Sequence, residues 1–341
     1  MRPAVWFSYV TGACMIIPVL ALAIVPFLNG DITNHGVGSS FIDASLQYYG
    51  VGSPGGFDRV VMGIVWFWVI GWSTYGPEAP ATFAPEFHDT KNDTRYAIIS
   101  TGALNAVLSL VLPITLVAIL GTGFIYSDGT YIAYVTEALD RTVGDALGAV
   151  FVVFICGGLL LSMNTATMDG SRALYGMARD GLTIRQLDHL NANAVPGRAM
   201  ALDMVLNLCL LFFAPTLLFT LAAGNIGYVF AHVLALSGFL LLRRDRPAWP
   251  RPIRLGPIWV AFAWLLLAIN IIATICGVLW IKYTGYMVKV LPDGTADVSY
   301  WTTTAIIVGF AVLAFAVVGY IIGQIQHGKP FRLTDPSDEE P

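Results

Sequence analysis

Eight long apolar stretches dominate this sequence of 341 residues. They cover residues 4–28, 59–86, 97–124, 145–170, 199–221, 224–242, 257–281 and 301–324. A helix needs about 20 mostly apolar residues to cross the hydrocarbon core of a bilayer, and each stretch is close to that length. We therefore expect an all-α polytopic membrane protein with eight transmembrane helices, forming a single transmembrane domain over residues 1–332.

The composition fits a lipid environment and excludes several classes of protein. Hydrophobic residues make up 56% of the chain and charged residues 12%, whereas a soluble domain has about 45–50% and about 25%. The net charge of −4 argues against a nucleic-acid partner. No metal-ligand cluster, phosphate-binding loop or hydrolase triad is recognisable. We therefore expect no enzyme activity, no catalytic residue, no bound metal and no cofactor.

Basic residues are distributed unequally between the two sides of the predicted membrane domain. If the N-terminus is cytoplasmic, 14 of the 18 lysines and arginines fall on the cytoplasmic side, as the positive-inside rule requires. An even number of spans then makes both termini cytoplasmic. We expect an integral protein of the cell (plasma) membrane, with residues 333–341 forming an acidic, disordered cytoplasmic tail.

The second apolar stretch is interrupted by residues that weaken a helix. Three prolines and two glycines occur within GWSTYGPEAPATFAPEF, residues 71–87, and Glu78 lies among them. Both residue types disturb the helical hydrogen-bond ladder, and non-helical backbone at membrane depth is tolerated where it lines a cavity or is buried in protein. A carboxylate at this depth is a candidate functional group. The pattern therefore predicts a binding site at a discontinuous helix.

The predicted substrate-binding residues all lie in this interruption: Trp72, Ser73, Tyr75, Gly76, Pro77 and Glu78. Aromatic rings there could close over a substrate, and main-chain groups could bind its charged ends. Two alternatives stay open. The aromatic side chains could serve ordinary packing or an interfacial belt, and Glu78 could be a helix-end residue hydrated by the cytoplasm.

Other polar residues within the spans favour structural roles. Asp169 lies three residues before Arg172, a spacing that favours an ion pair on one helix face. His232 lies in mid-span and is expected to be a hydrogen-bonded packing residue. Gly319 and Gly323 form a GxxxG pair suited to a close helix contact, either within the chain or in self-association.

Three ordered motifs over about half of the chain resemble one known family. They are YGPEAPATFAPEFHDTKNDTRYAI at 75–98, SRALYGMARDGLTIRQL at 171–187 and LLLRRDRPAWPRPIR at 240–254. They are similar to the sixth helix with its loop, an inner loop and a later loop of amino acid permeases of the amino acid–polyamine–organocation superfamily. Gly76 and Glu78 match that family's G-x-E pattern, while Thr90, Arg95 and Thr183 stand where its prolines are usual.

The resemblance implies an inverted-repeat (LeuT-like) fold of twelve helices, with substrate held between the broken first and sixth helices. Trp72 would then pack on the substrate, Glu78 would gate or hydrogen-bond it, and Gly76 with Pro77 would form the unwound segment. If residues 59–86 are the sixth helix, the first four helices are lacking and the fold is partial. On this reading we expect that the polypeptide alone does not transport.

The function expected from these observations is secondary active transport of an amino acid or a related amine. The expected partners are this small-molecule substrate, the lipid bilayer and a proton or exchanged substrate. One alternative is a permease for nucleobases or other organic cations, although the arginine-rich loop motifs speak against it. A different alternative is a non-transporting membrane remnant or partner subunit that is built on the permease scaffold.

Overall fold

The computed structural model describes most of the chain. The described residues are 2–30, 55–121, 130–213, 217–251, 253–284, 289–290, 296–297 and 299–328. Within them are nine α-helices: α1 (Arg2–Asn29), α2 (Gly56–Ile70), α3 (Thr90–Leu120), α4 (Thr130–Val143), α5 (Asp145–Arg179), α6 (Gly197–Phe213), α7 (Leu217–Asp245), α8 (Pro257–Leu279) and α9 (Ser299–Gln326). The protein is therefore helical, as expected.

Six of these helices are long and apolar enough to cross a membrane, namely α1, α3, α5, α7, α8 and α9. Their most apolar windows are no more than 22% buried inside the protein, so most of their apolar surface faces outward, as it does in lipid. The helices α2 and α6 have 15 and 17 residues, which is less than the length of about 20 that a span needs. Six of the eight predicted spans thus have a matching long helix.

One helix boundary differs from the expected one. Only Ala222 and Ala223 separate the apolar stretches 199–221 and 224–242, which predicts a tight hairpin there. Both alanines instead lie inside α7, which begins at Leu217. Alanine is the best helix former, so nothing at this point ends a helix. Pro215 lies in the short gap after α6 and cannot continue a helix interior. It is the better signal for the boundary, although residues 214–216 lie outside the described part.

The amphipathic helix α4 occupies a segment that was expected to be a loop between two spans. Its buried face carries Ala138 and Leu139, both 0% exposed, which pack against Leu22 of α1 and Ile119 of α3. On its polar face, Arg141 pairs with Glu137 at 2.8 Å. Arg141 also donates from Nη1 to the Ile119 carbonyl at 3.2 Å, so α4 caps the end of α3.

The chain divides into two compact units. The first unit consists of Met1–Ala44 and Ser73–Asp169, and the second of Ser45–Trp72 and Gly170–Pro341. In the first unit α1, α3 and α4 pack on one another. In the second unit α7 packs against α2, α8 and α9, and α2 also packs against α8.

A short antiparallel strand pair follows α8. The strands β1 (Lys289–Val290) and β2 (Ala296–Asp297) pair with Lys289 opposite Asp297. The sequence Pro292-Asp293-Gly294 between the strands predicts a turn, and those three residues lie outside the described part of the chain.

Candidate functional site

The helix α2 ends at Ile70, and no α-helix resumes until Thr90. Three short 3-10 turns lie between them, at Gly71–Thr74, Ala79–Ala81 and Ala84–Glu86. Proline cannot donate a main-chain hydrogen bond, and this segment has prolines at 77, 80 and 85. The sequence therefore breaks the helix where the interruption was predicted. The division between the two units falls at Trp72 and Ser73.

The turn around Gly76 is closed by its own main chain and by Glu78. Gly76 has a φ of +112°, a conformation that side-chain-bearing residues rarely adopt. The Ala79 amide donates to the Gly76 carbonyl at 2.9 Å. The Gly76 amide in turn donates to Oε2 of Glu78 at 3.2 Å. The Glu78 carboxylate is exposed and folds back over this turn, so it is positioned by local structure.

The other predicted site residues lie on the same segment. Ser73 is exposed, and Tyr75 and Pro77 are half-buried. The Trp72 side chain lies outside the described part of the structure. The structure thus places Ser73 to Glu78 on one non-helical segment.

An asparagine of α3 ties the first turn of this segment in place. The side-chain amide of Asn105 donates to the Thr74 carbonyl at 2.9 Å. The Ser109 hydroxyl, one helical turn later, donates to Oδ1 of Asn105 at 3.2 Å, which orients the amide. Neither residue was predicted from the sequence, because a polar residue within a span has no local pattern that reveals such a contact.

Asp169 of α5 also reaches the segment. The Thr82 hydroxyl lies 2.5 Å from Oδ1 of Asp169 and 2.8 Å from the Ala79 carbonyl. Asp169 is therefore a second carboxylate at this segment, in addition to Glu78. This contact was not predicted from the sequence. The predicted pairing of Asp169 with Arg172 stays a prediction.

In the other unit, the end of α2 is held by Asn225 of α7. The Asn225 side chain is 1% exposed and its Nδ2 donates to the carbonyls of Trp68 at 2.9 Å and Val69 at 3.3 Å. The last four carbonyls of a helix lack partners within that helix. Asn225 supplies a partner for two of them, which allows α2 to stop there.

The Trp68 ring is itself held tightly. It is 1% exposed, and Gly277 of α8 lies so close to the ring that a Cβ atom at position 277 would overlap it. Among the described residues, the buried Trp68 Nε1 has no hydrogen-bond partner. The end of α2 is therefore fixed both by packing and by the Asn225 amide.

The glycine pair of α9 has a partner within the chain. A Cβ atom at Gly319 or Gly323 would meet Thr183 in the loop after α5. Nearby, Gln324 donates from Nε2 to the Gly181 carbonyl at 2.7 Å. The close contact predicted for these glycines is therefore made with a loop of the same chain.

Among the described residues, no group of three or more His, Cys, Asp or Glu side chains is placed to hold a metal ion. Nδ1 of His232 lies 3.0 Å from the Tyr228 carbonyl oxygen, which can only accept, and the His232 ring packs against the Tyr228 ring at a tilt of 35°. Both contacts fit its predicted packing role. The non-helical segment between α2 and α3 can therefore offer a ligand carboxylates, hydroxyls and main-chain groups.

A sequence model described as amino acid permease matches residues 1–313. Neither a curated protein nor a solved structure matches the chain. The family is one of transporters and not of enzymes, and the long apolar helices fit its location in a membrane. The chain belongs to the amino acid permease family of the amino acid–polyamine–organocation superfamily, and is an integral membrane protein for transport of amino acids or related compounds.

Proposed function

We propose that the protein is a secondary active permease for an amino acid or a related amine, and that Ser73, Tyr75, Gly76, Pro77 and Glu78 contact the substrate. Trp72 precedes them in the chain and is proposed as the aromatic residue that packs on it. The observation that carries the proposal is the interruption itself, since 3-10 turns and Gly76 at positive φ replace a helix between α2 and α3.

The chemistry of the segment suits a zwitterionic substrate. An amino acid presents an ammonium group, which needs acceptors, and a carboxylate, which needs donors. The segment has carboxylate oxygens at Glu78, a hydroxyl at Ser73 and main-chain groups outside a regular helical ladder. Discontinuous helices bind charged substrate groups in this way in many transporters.

Substrate binding is tested on the purified protein in detergent. The unfolding midpoint would be measured with a panel of amino acids, polyamines and nucleobases, each at the same concentration. We expect amino acids or amines to raise the midpoint through mass action, and Glu78→Gln to weaken the effect. A panel in which only nucleobases stabilise the protein, or in which no compound does, would contradict the proposed substrate class.

Energy coupling is tested in proteoliposomes with the compound that stabilises the protein best. We propose that a proton gradient or an exchanged substrate on the opposite side drives uptake. Uptake that rises with an inward proton gradient supports proton coupling, and uptake that requires internal substrate supports exchange. Binding without uptake under either condition would favour a non-transporting partner subunit.

We further propose eight spans in an inverted-repeat fold, with both termini on the cytoplasmic side of the plasma membrane. The excess of basic residues on one side of the predicted topology supports this orientation. A single cysteine placed at each loop in a cysteine-free background would be labelled with an impermeant maleimide on intact cells. Labelling at Arg254→Cys on the outside would overturn the orientation.

A further inference from the structure

A polar cavity of about 470 Å³ lies in the second unit, away in sequence from the non-helical segment. Its lining is formed by Arg185, Gln186, Asp188, His189, Arg198 and Gln326. Among the described residues, this lining has two arginines against one aspartate, so these groups give it a net positive charge. We propose that this cavity binds the phosphate group of an anionic phospholipid.

The cavity is built on a packed scaffold. Arg185 begins a 3-10 turn, Arg185–Leu187, whose Leu187 is 4% exposed and packs against Ala178 and Ala199. The Arg185 amide donates to Oε1 of Gln326 at 2.8 Å, which fixes the turn to α9. The positive side chains therefore project from a backbone that is held at several points.

The two guanidinium groups have donors to offer a ligand. Arg198 makes one long hydrogen bond, 3.5 Å from Nη1 to the Gln186 carbonyl. Within the described residues, neither the Arg185 guanidinium nor the Asp188 carboxylate has a hydrogen-bond or ion-pair partner. A guanidinium presents five N–H donors in a planar fork that matches phosphate oxygens. The donors of these two arginines are therefore available to the oxygens of a bound phosphate.

The position of Arg198 in its helix adds to the preference for an anion. The helix α6 begins at Gly197 and has no acidic residue in its first turn. The N-terminal end of a helix carries a partial positive charge, and Arg198 places a full positive charge beside it. An anion between Arg185 and Arg198 would relieve this repulsion.

Neighbouring apolar residues indicate that the phosphate belongs to a lipid. Leu182, Leu190 and Ile325 are 43%, 41% and 73% exposed, and each lies within three residues of a cavity residue in sequence. Exposed apolar side chains beside a basic cavity are typical of the membrane–water boundary. In the proposed topology this side is cytoplasmic, where anionic lipids attract basic residues.

The experiment titrates the full-length protein in detergent with phosphatidylglycerol, phosphatidylcholine or inorganic phosphate. The unfolding midpoint and the lipid retained in native mass spectrometry are both recorded. We expect phosphatidylglycerol to bind and stabilise, and the other two compounds to have little effect. Equal effects of the two lipids, or an equal effect of inorganic phosphate, would overturn the assignment to an anionic lipid.

Two variants locate the effect. The double change Arg185→Gln with Arg198→Gln should weaken phosphatidylglycerol binding by about tenfold or more, since it removes both charged donors to the phosphate. Arg254→Gln removes an exposed arginine outside the cavity and should leave binding unchanged. An unchanged affinity in the double variant, or an equal loss in Arg254→Gln, would refute the site.

The change Asp188→Asn provides a test of opposite sign. It removes the one negative charge among the described residues that line the cavity, so phosphatidylglycerol should bind more tightly. A tighter complex cannot result from a folding defect, which keeps the proposal testable if the double arginine variant unfolds. Weaker or unchanged binding in Asp188→Asn would count against an anionic ligand. All of these readouts measure binding, so they stand independently of any transport activity.

Discussion

The side-chain amide of Asn225 lies 2.9 Å from the carbonyl oxygen of Trp68, a residue 157 positions earlier in the chain. The contact joins the middle of α7 to the last turn of α2, where the helix gives way to 3-10 turns. Buried carbonyls without partners are costly, above all where no water can replace the missing donor. Asn225 therefore makes it possible for α2 to end inside the protein.

The first prediction concerns this contact. Asn225→Leu keeps the size of the side chain but leaves the carbonyls of Trp68 and Val69 without their donor. Each unsatisfied buried group costs about 1–3 kcal/mol, so the unfolding midpoint in detergent should fall clearly. Asn207→Leu is the matched control, since the Asn207 side chain is exposed and bonds to Asp203 of its own helix. Similar losses in both variants would contradict the capping role.

A second prediction concerns the packing of Trp68. Gly277→Ala adds a methyl group that overlaps the indole ring, and overpacking of this kind costs about 1–3 kcal/mol. Gly238→Ala in α7 meets open space and should be neutral or stabilising by up to about 1 kcal/mol through helix propensity. Thermal unfolding of the two variants side by side checks the difference. A stable Gly277→Ala protein would show that Trp68 can move.

A third prediction concerns the hydrogen bond between Thr82 and Asp169. Thr82→Val preserves the shape of the side chain and removes the donor, with an expected loss of about 1.5–3 kcal/mol for a bond to a charged group. Asp169→Asn keeps an acceptor oxygen and should lose less. Substrate affinity and unfolding midpoint are measured together. If Asp169→Asn is as damaging as Thr82→Val or worse, the charge of Asp169 matters beyond this hydrogen bond.

A fourth prediction tests the conformation of Gly76. Gly76→Ala introduces no clash, because nothing lies within 4 Å of the added atom, but it places a Cβ at a φ of +112°. Strain of this kind costs about 1–3 kcal/mol and should shift the turn that positions Glu78. We expect substrate affinity to fall more than stability. Gly102→Ala, in an open position of α3, is the control that should behave like the unaltered protein.

A fifth prediction concerns the start of α3 at low pH. Asp89 caps this helix by accepting from the Asn92 amide at 3.1 Å and from Nδ2 of Asn92 at 2.7 Å. These bonds, the main-chain one first, lower the pKa of the Asp89 carboxyl below its usual 3.8. The Asp89 carboxylate therefore stabilises the folded protein fully above pH 3.8, the usual value of its pKa. This stabilisation is lost as the pH falls through the lower pKa of the folded protein.

The measurement compares the unfolding midpoint of the unaltered protein with that of Asp89→Asn from neutral pH downwards. Asparagine is also a good N-cap, but it does not titrate. The difference between the two proteins should stay constant above pH 3.8 and change below it. A difference that changes only around neutral pH would point to another group.

The sequence predicted those features that depend on local composition. The apolar stretches locate the long helices, because a span has to be apolar over its whole length. The break after α2 was predictable because glycine and proline disfavour a helix wherever they occur. The boundary between α6 and α7 was misplaced, because apolar residues continue across it with no charged residue to interrupt them.

Contacts between distant parts of the chain were not predictable. Asn105, Asn207 and Asn225 have similar surroundings in the sequence, since each is a polar residue in an apolar helix. The helical repeat does not tell which of them reaches a carbonyl of another element. For Asp169, the spacing to Arg172 predicted an ion pair on one helix face, but it gave no sign of the hydrogen bond with Thr82. Residue spacing along one helix does not predict a hydrogen bond whose partner lies on another element.

The confinement of Trp68 has a practical consequence for optical measurements. Its indole is buried, is pressed against Gly277, and belongs to the residue whose carbonyl accepts the Asn225 bond. Indole fluorescence responds to the polarity around the ring, so a loosening of this helix end should shift the emission to longer wavelength. The chain has nine tryptophans. Replacing the other eight with phenylalanine would leave a fluorophore that is already in place to follow the end of α2 in real time, with no dye attached.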